Sequence, residues 1–386
     1  MFDVIVIGGG IVGASTAYHL VQSGTRTLLI DRHDTGRATD AGAGILSAET
    51  YGGESEPWFN LAIHALDYLP DLIEDLETDH DNQTGYDPCG LLLVAASDDE
   101  IESFDRAKQH IFRRQLQRKN PAPSELYEIS PDEACDLMPP LTQVQAAIYS
   151  KKAARMDGRL FTASLYHTAV RQGLQVVHEN VDRLLLSGDR IEGVNAQGSS
   201  YHASNVVIAG GAWSTTIGDQ LGVQIPVEPQ RGQIIHLEHD QQDTGHWPIV
   251  EAFHDHYAVP WPDQRVVVGA TRETGSGFDP YPTASGIHET LGEALRVTPG
   301  LKSFRIREIR VGLRPFTIDY LPVLGTIPGC EGVYVATGHG ASGLQLGPYS
   351  GKLIADQITG NNIPLDMNLY SIARFAAVRP LHPSSM

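Results

Sequence analysis

Residues 1–32, MFDVIVIGGGIVGASTAYHLVQSGTRTLLIDR, contain the pattern that decides the predicted fold. The apolar, β-branched run at residues 3–7 is typical of a parallel strand that is buried on both faces. Residues 11–24 have the apolar spacing of a helix that ends at a glycine, and residues 27–30 form a second apolar run. The stretch therefore predicts the strand, helix and strand that open a doubly wound α/β domain.

Gly8, Gly10 and Gly13 follow the first strand in the spacing G-x-G-x-x-G. The first glycine permits a tight turn, the second lets backbone N–H groups approach a pyrophosphate, and the third lets helix and sheet pack closely. Asp31 ends the second strand, where a carboxylate accepts hydrogen bonds from ribose hydroxyls. The carboxylate disfavours a 2′-phosphate, so the pattern predicts FAD or NAD rather than NADP. Since we find no second fingerprint of this kind, one dinucleotide and an organic reductant are favoured.

The composition excludes several classes of partner. The chain has 386 residues, of which 41% are hydrophobic, and a formal net charge of −19. This length favours two compact units, and this charge repels nucleic acid and anionic membranes. The three cysteines form no CxxC pair, and the sequence has no secretion leader or membrane-length apolar run. We therefore expect a cytoplasmic protein without a metal site, whose anionic substrate is held by a locally placed cation.

Five further segments carry a family resemblance. In chain order they are GRATDAGAGILSA (36–48), VVIAGGAWS (206–214), RVVVGATRETGSGFD (265–279), GLRPFTIDYLPVLG (312–325) and ATGHGASGLQLGPYSG (336–351). Together they resemble the D-amino-acid oxidase superfamily, and among its members the glycine oxidase branch. The resemblance spans the chain and implies FAD-dependent oxidation of a carbon–nitrogen bond. It also implies noncovalent FAD, because Phe316 follows the Arg-Pro pair where sarcosine-type oxidases carry the cysteine that attaches flavin.

The resemblance implies an α/β architecture: a Rossmann-like FAD-binding domain with a second, mostly antiparallel α+β substrate domain. The expected bounds are residues 1–85, 145–222 and 325–375 for the discontinuous FAD-binding domain, residues 86–144 and 223–324 for the substrate-binding domain, and residues 376–386 for a C-terminal tail. The local patterns agree with this division. Residues 98–119 predict a solvated helix, residues 154–181 a helix and a strand, and residues 226–310 short strands of a mostly antiparallel sheet.

Three residues are candidates for catalysis. Arg314, in GLRPFT, stands where the family places the arginine that binds the substrate carboxylate, and a guanidinium can do so with two parallel hydrogen bonds. Its alternative role is an exposed arginine paired with an acid such as Asp319. Tyr257, in HDHYAVPW, matches the family's active-site tyrosine, and His256 is a candidate for contact with substrate or flavin. The pattern places His254 and His256 on one face of a strand, but without the further ligands that a metal needs.

The remaining candidates surround the cofactor and the substrate. The cofactor-binding candidates are Gly8, Gly10, Ile11, Val12, Gly13, Asp31, Arg32, Thr39, Ala43, Gly44, Ile45, Val181, Gly210, Trp213, Arg314, Gly340, Ala341, Ser342, Gly343 and Leu344. The resemblance implies that residues 43–45 contact the flavin ring, that the backbone of Val181 contacts adenine, and that residues 338–344 direct N–H groups to the flavin pyrimidine. The substrate-pocket candidates are Ile45, Ala341 and Leu344. Glycine oxidases resembling this chain carry a second arginine in place of Ala341, so a more open pocket is predicted.

The resulting hypothesis is an oxidase of a glycine-type amine, either glycine or an N-substituted glycine. Hydride transfer to flavin N5 gives an imine that hydrolyses to glyoxylate and an amine, and O₂ reoxidises the flavin. One alternative is a D-amino-acid dehydrogenase that passes electrons to a quinone or protein acceptor. The Asn-Ala-Gly pattern of such enzymes, followed by proline, is absent, since residues 40–42 are Asp-Ala-Gly. Another alternative is a flavin-binding structural or modifying protein without amine turnover.

Overall fold

The computed structural model describes residues 1–79 and 81–375, so the predicted C-terminal tail lies outside the described residues. This part of the chain divides into two compact units. Unit 1 contains Met1–Ala38, Thr162–Gln230 and the described residues from Leu313 onward, and unit 2 contains Thr39–Phe161 and Arg231–Gly312. The predicted functional domains have other bounds, and that division remains a prediction.

The described chain contains α-helices and strands, with short 3-10 helices between several of them. The α-helices are α1 (Ile11–Gln22), α2 (Glu56–Glu77), α3 (Ile101–Arg118), α4 (Pro131–Leu137), α5 (Gly158–Arg171), α6 (Ser214–Gly218), α7 (Ala284–Val297) and α8 (Gly343–Thr359). The strands are β1 (Phe2–Ile7), β2 (Thr27–Ile30), β3 (Ile45–Leu46), β4 (Leu91–Ala95), β5 (Leu126–Ile129), β6 (Ala146–Ser150), β7 (Ala154–Arg155), β8 (Gln175–Val177), β9 (Val181–Ser187), β10 (Arg190–Ala196), β11 (Ser199–Ile208), β12 (Glu228–Glu238), β13 (Ile249–Ala252), β14 (Tyr257–Trp261), β15 (Arg265–Gly269), β16 (Glu273–Thr274), β17 (Arg305–Phe316), β18 (Val323–Thr326) and β19 (Val333–Thr337).

Unit 1 is built on a mostly parallel sheet with the strand order β18-β19-β11-β1-β2-β8. β1 pairs in parallel with β11 and β2, and the outer pairs β11–β19 and β2–β8 are also parallel. β18 is antiparallel to β19, and β9 and β10 extend β11 as an antiparallel meander. The predicted opening unit is confirmed as β1-α1-β2, and Gly24 ends the helix in the left-handed region with a φ of 79°.

Helices α1 and α8 of unit 1 pack closely against each other. A Cβ on Gly351 would lie 2.6 Å from the backbone nitrogen of Thr16, so the approach requires glycine. The Ser15 hydroxyl donates a hydrogen bond of 2.6 Å to the carbonyl oxygen of Pro348. This packing fixes the start of α8 relative to the start of α1, and both helix starts belong to the predicted cofactor site.

The second sheet is mostly antiparallel, as predicted. Its strand order is β16-β12-β15-β14-β13-β4-β6-β5, and β17 also pairs with β12. β13 and β4 are parallel, whereas the pairs β12–β15, β15–β14, β14–β13, β4–β6 and β6–β5 are antiparallel. Antiparallel pairing fits the short, turn-bounded strands that the sequence predicts in this region.

Both faces of this sheet are covered within unit 2. One face, here called the α3 face, carries Ile249, Val259 and Val267, which pack with Phe104 and Ile111 of α3. Burial of these α3 side chains corrects the prediction of a solvated helix at residues 98–119: the helix is present, but one side of it belongs to the core. Its charged residues made the segment resemble a solvated face.

The opposite face, here called the α7 face, packs against a helix that the sequence reasoning missed. Residues 226–310 predict only short strands, yet α7 occupies Ala284–Val297. Its N-cap residue, Thr283, accepts a hydrogen bond from the N–H of Gly286. Ala294 and Val297 of α7 pack on Val250 and neighbouring side chains of the sheet. Across residues 1–79 and 81–375, no helix combines the length and apolarity needed to cross a membrane.

Candidate active site

The glycine loop of unit 1 has the geometry of a phosphate cradle. Gly8 has a φ of 102°, and a Cβ there would overlap the carbonyl oxygen of Ala209. A Cβ on Gly13 would overlap the carbonyl oxygen of Gly8, so helix α1 sits directly on the loop. Gly10 is the N-cap of α1 and supplies no capping side chain, and the start of a helix attracts an anion. The loop therefore fits a pyrophosphate.

Asp31 lies beside this loop, at the end of β2. Its N–H donates to the carbonyl oxygen of Val177, and a Cβ on Gly9 would lie 2.9 Å from the Asp31 carboxyl carbon. Arg37 Nη1 donates a hydrogen bond of 2.8 Å to Oδ2 of Asp31. A carboxylate anchored in this position can accept a ribose hydroxyl with its remaining lone pairs. Sequence reasoning missed Arg37, because a single arginine in a loop gives no pattern of its own.

Several cofactor-binding candidates lie close together in unit 1. The guanidinium of Arg32 is 5.9 Å from the ring centroid of Trp213. Arg32 Nη1 also donates to the side-chain oxygen of Asn180 at 2.8 Å, and Asn180 directly precedes Val181. Gly210 lies next to the loop as well, because a Cβ on Gly8 would be 3.0 Å from its Cα. Candidates from three separate stretches of the sequence therefore lie close together in unit 1, and Gly210 among them adjoins the glycine loop.

The start of α8 provides a second helix N-terminus in unit 1. Residues 340–342 form a 3-10 turn, and Ser342, the N-cap of α8, makes no capping hydrogen bond with its side chain. Ala341 is exposed and Leu344 is buried. A Cβ on Gly347 would lie 3.0 Å from Ile11 and 3.2 Å from Val12. The two uncapped helix starts thus belong to neighbouring helices.

Arg314 and Asp319 occupy different environments in unit 1. Arg314 is half-buried near the end of β17, between the buried residues Leu313 and Pro315. Asp319 pairs with Arg374, which donates to both carboxylate oxygens at 2.7 and 3.2 Å. Arg314 is thus only partly exposed, and Asp319 is engaged in a bidentate pair with Arg374. The role of Arg314 remains a prediction.

Tyr257 is held on the α3 face of unit 2. It is the register partner of Gly269 on β15. A Cβ on Gly269 would lie 2.6 Å from the Tyr257 hydroxyl and 2.8 Å from Ile234, so the phenol ring crosses β15 where a side chain is absent. Gly269 was not identified from the sequence, because only the register between β14 and β15 gives it this role.

Residues 43–45 form a tightly packed segment of unit 2. Ile45 pairs with Arg155 in the two-stranded ladder β3–β7, and the Met156 N–H donates to the carbonyl oxygen of Gly44 at 2.9 Å. Gly44 has a φ of 96°, and a Cβ there would lie 3.2 Å from the Trp261 ring. Such close backbone packing suits a loop that presents N–H groups rather than side chains. Thr39, near the start of the same unit, is 8% exposed.

The histidine prediction needs a correction. His254 and His256 do not share a strand face, because β13 ends at Ala252, β14 begins at Tyr257, and His254 has a left-handed φ of 63°. His256 is 3% exposed, and both its ring nitrogens lack a hydrogen-bond partner within the described residues. Burial, with a smaller effect of Arg296, lowers the pKa of His256 to about 3.

His256 and Tyr257 therefore differ in surroundings. Tyr257 packs on the α3 face, whereas His256 lies near Arg296 of α7, the helix on the opposite face. A neutral histidine at physiological pH is a poor proton donor. The catalytic role of His256 stays a prediction, which is tested below.

A parallel sheet that ends in a glycine loop under an uncapped helix defines a dinucleotide-binding α/β protein. The chain belongs to the family described as DAO, FAD dependent oxidoreductase, whose model matches residues 3–357. The family prediction is thus confirmed, and with it the FAD-dependent oxidoreductase class and the fold.

Three similar proteins illustrate the range of the family. The oxidoreductase YurR of Bacillus subtilis is 36% identical over 374 residues, which cover 97% of this chain and 99% of YurR. The glycine oxidase of Pseudomonas aeruginosa is 30% identical over 384 residues, which cover 96% of this chain and 98% of that enzyme. The crystal structure of iminodiacetate oxidase from Chelativorans sp. BNC1 matches with a TM-score of 0.90 at 36% identity, and covers 96% of this chain and 98% of that one.

The residues of unit 1 fit FAD. The glycine loop and the first turn of α1 would hold the pyrophosphate, and Asp31 would hold the ribose. When bound, FAD supplies the two-electron oxidant of the reaction. The N-terminus of α8 carries a partial positive charge, which favours negative charge on a group bound there.

Proposed function

We propose that this protein oxidises the C–N bond of an N-substituted glycine and releases glyoxylate and an amine. With O₂ as the acceptor the balanced reaction is R–NH–CH₂–COO⁻ + O₂ + H₂O → R–NH₂ + OHC–COO⁻ + H₂O₂. The observation that supports the substrate class most is the similarity to an iminodiacetate oxidase over nearly the whole chain. Iminodiacetate is itself a glycine with a carboxymethyl group on nitrogen.

Arg314 and Tyr257 are the proposed carboxylate-binding residues. A guanidinium binds a carboxylate with two parallel, charge-assisted hydrogen bonds, and a phenol hydroxyl adds a third donor. A local cation is also required to attract an anionic substrate to a protein with a net charge of −19. Fixing the carboxylate orients the neighbouring CH₂ group, which is the carbon to be oxidised.

Ile45, Ala341 and Leu344 are the proposed contacts of the substituent on nitrogen. Ala341 is exposed where resembling glycine oxidases carry an arginine, so this position offers space instead of a cation. Apolar walls favour an aliphatic substituent by about 0.8 kcal/mol for each CH₂ group that becomes buried. Free glycine cannot gain this energy, and the proposal therefore ranks N-substituted glycines above glycine.

Two measurements test the proposal. Purified protein mixed anaerobically with sarcosine should lose its yellow colour, and a protein that stays oxidised with every amine offered contradicts amine oxidation. Readmitted air should then restore the colour with one H₂O₂ per substrate. Slow recovery in air, combined with fast recovery on adding a quinone, would instead assign the dehydrogenase alternative.

The mode of FAD attachment is tested separately. Because Phe316 replaces the flavin-attaching cysteine of sarcosine-type oxidases, we expect acid precipitation to release all the flavin into the supernatant. Yellow colour that remains in the washed protein pellet would contradict noncovalent binding.

A further inference from the structure

We propose that Arg155 is a positioning residue of the flavin site, which fixes the backbone of Gly44 and Ile45 without contacting the cofactor itself. The proposal rests on the predicted flavin contact at residues 43–45. In this proposal the buried guanidinium of Arg155 in unit 2 determines the position of the segment that makes the contact.

Arg155 is a buried cation with three acceptors. Its side chain is 0% exposed. Nη1 donates to the carbonyl oxygen of Pro260, and Nη2 donates to the carboxylate of Asp87 and to the carbonyl oxygen of Gly245, the last at 2.9 Å. A buried charge is tolerated only when it is paired and hydrogen-bonded, so these bonds hold the guanidinium in one position. The acceptors come from three separate segments, which Arg155 joins at one point.

The backbone around Arg155 carries the predicted flavin-contacting segment. Arg155 pairs with Ile45 across β3–β7, and the next residue, Met156, donates its N–H to the carbonyl oxygen of Gly44 at 2.9 Å. On the other side, Arg155 exchanges two backbone hydrogen bonds of 2.9 Å with Asp87. A displacement of Arg155 therefore displaces residues 44 and 45 with it.

The side chain of Arg155 also fixes the surface on which Gly44 rests. Its guanidinium carbon is 5.6 Å from the ring centroid of Trp261, and that of Arg265 is 4.9 Å from the same ring. A Cβ on Gly44 would lie 3.2 Å from Cζ2 of Trp261. Cation–π contacts of this kind orient an indole ring that is already buried. Gly44 is thus confined between the backbone of Met156 and a ring that Arg155 holds.

Lysine cannot replace this arrangement, because an ammonium lacks the planar fork that reaches acceptors in different directions. In Arg155→Lys we expect the dissociation constant of FAD to rise by about tenfold or more, because Gly44 and Ile45 no longer hold the position that the predicted flavin contact requires. The visible circular dichroism of bound FAD should change, since Gly44 moves relative to the flavin. We also expect kcat/KM to fall by a similar factor for all amines that the protein oxidises.

Arg114→Lys is the matched control. Arg114 is another buried arginine of unit 2, and it donates to the carbonyl oxygens of Tyr51 and Gly53 and to the carboxylate of Glu56. Its loss should lower the melting temperature as Arg155→Lys does, but leave the FAD dissociation constant and the flavin circular dichroism at their parent values. A general loss of stability would instead change the FAD dissociation constant and the flavin circular dichroism of Arg155→Lys and Arg114→Lys to the same extent.

Asp87→Asn is a milder second variant, because it weakens one acceptor of Arg155 and leaves two. Asp87→Asn should change the FAD dissociation constant and the visible circular dichroism of bound FAD in the same direction as Arg155→Lys, but less. The proposal is overturned if the folded variants bind FAD with the dissociation constant and the circular dichroism of the parent. If Arg155→Lys does not fold, the same result for Asp87→Asn alone overturns it. FAD binding to apoprotein requires no turnover, so a parent protein inactive on amines would contradict the proposed function and leave this test valid.

Discussion

The Tyr257 hydroxyl lies directly over Gly269, 2.6 Å from the place where a Cβ of residue 269 would be. The two residues are register partners on β14 and β15. The absence of a side chain at residue 269 therefore sets the direction in which the phenol points. If Tyr257 binds the substrate carboxylate, Gly269 controls a binding contact that it does not itself make.

Gly269→Ala should lower kcat/KM by about tenfold, because the new methyl group displaces a hydroxyl that bonds to a charged carboxylate. Tyr257→Phe should have a similar effect, and the double variant should be little worse than either single one, since both remove the same contact. Gly292→Ala is the control, because a Cβ there meets no atom within 4 Å. If Gly269→Ala has the same kcat/KM as the parent, the position of the Tyr257 hydroxyl does not affect catalysis.

Arg314→Lys keeps the positive charge and loses the planar fork. We expect kcat/KM to fall by an amount that corresponds to about 1.5 to 3 kcal/mol, with unchanged flavin content. The loss should be specific for carboxylate-bearing amines, so the slow oxidation of N-methylglycinamide should be affected little. Equal losses for sarcosine and its amide would place Arg314 outside the carboxylate site.

Gly13→Ala should abolish tight FAD binding, because the new Cβ overlaps the carbonyl oxygen of Gly8 and pushes α1 away from the loop. Purified Gly13→Ala should be nearly colourless, and FAD titration of its apoprotein, followed by flavin fluorescence, should give weak binding. Gly292→Ala should keep its FAD. A fully loaded Gly13→Ala protein would contradict the assignment of the pyrophosphate to this loop.

His256 makes folding stability depend on pH. Burial lowers its pKa from 6.5 to about 3, so between these values the unfolded chain binds a proton that the folded protein excludes. Stability is therefore lost as pH falls from 6.5 towards 3, by at most about 1.4 kcal/mol per pH unit. His256→Leu removes the contribution of His256 alone, so its melting temperature should decrease less than that of the parent between about pH 7.5 and pH 5.

The same variant decides the role of His256. Both ring nitrogens lack partners among the described residues, so leucine should leave stability near neutral pH unchanged or higher. Because His256 packs toward α7, we expect kcat/KM to change by less than about threefold. A loss of more than about a hundredfold, with a parent-like melting temperature, would instead show that His256 takes part in catalysis.

The βαβ unit with its glycine loop was predictable because its signals are local. Gly8, Gly13 and Asp31 lie within one βαβ unit, and their spacing predicts the loop and the helix contact that the structure shows. The binding of ribose by Asp31 remains a prediction. Arg314 and Tyr257 required the family resemblance, since a single arginine or tyrosine on a strand has no distinctive spacing.

The residues that position these groups were not predictable. Gly269 matters through its register with Tyr257, and Arg155 matters through an acceptor at Pro260, which lies 105 residues away in sequence. Such roles arise only when long-range strand pairing is known. The histidine pattern failed for the same reason: a turn at residues 253–256 separates two strands where the sequence predicts one.

The substrate class is the central claim, and a steady-state comparison of glycine, sarcosine, a longer N-alkylglycine and D-alanine tests it most directly. All four carry the carboxylate that Arg314 is proposed to bind, so differences in kcat/KM report on the space around the nitrogen and the α-carbon. We predict that kcat/KM rises from glycine to sarcosine and again to the longer N-alkylglycine, with D-alanine below sarcosine. A preference for free glycine, or for D-alanine over both N-alkylglycines, would contradict the account.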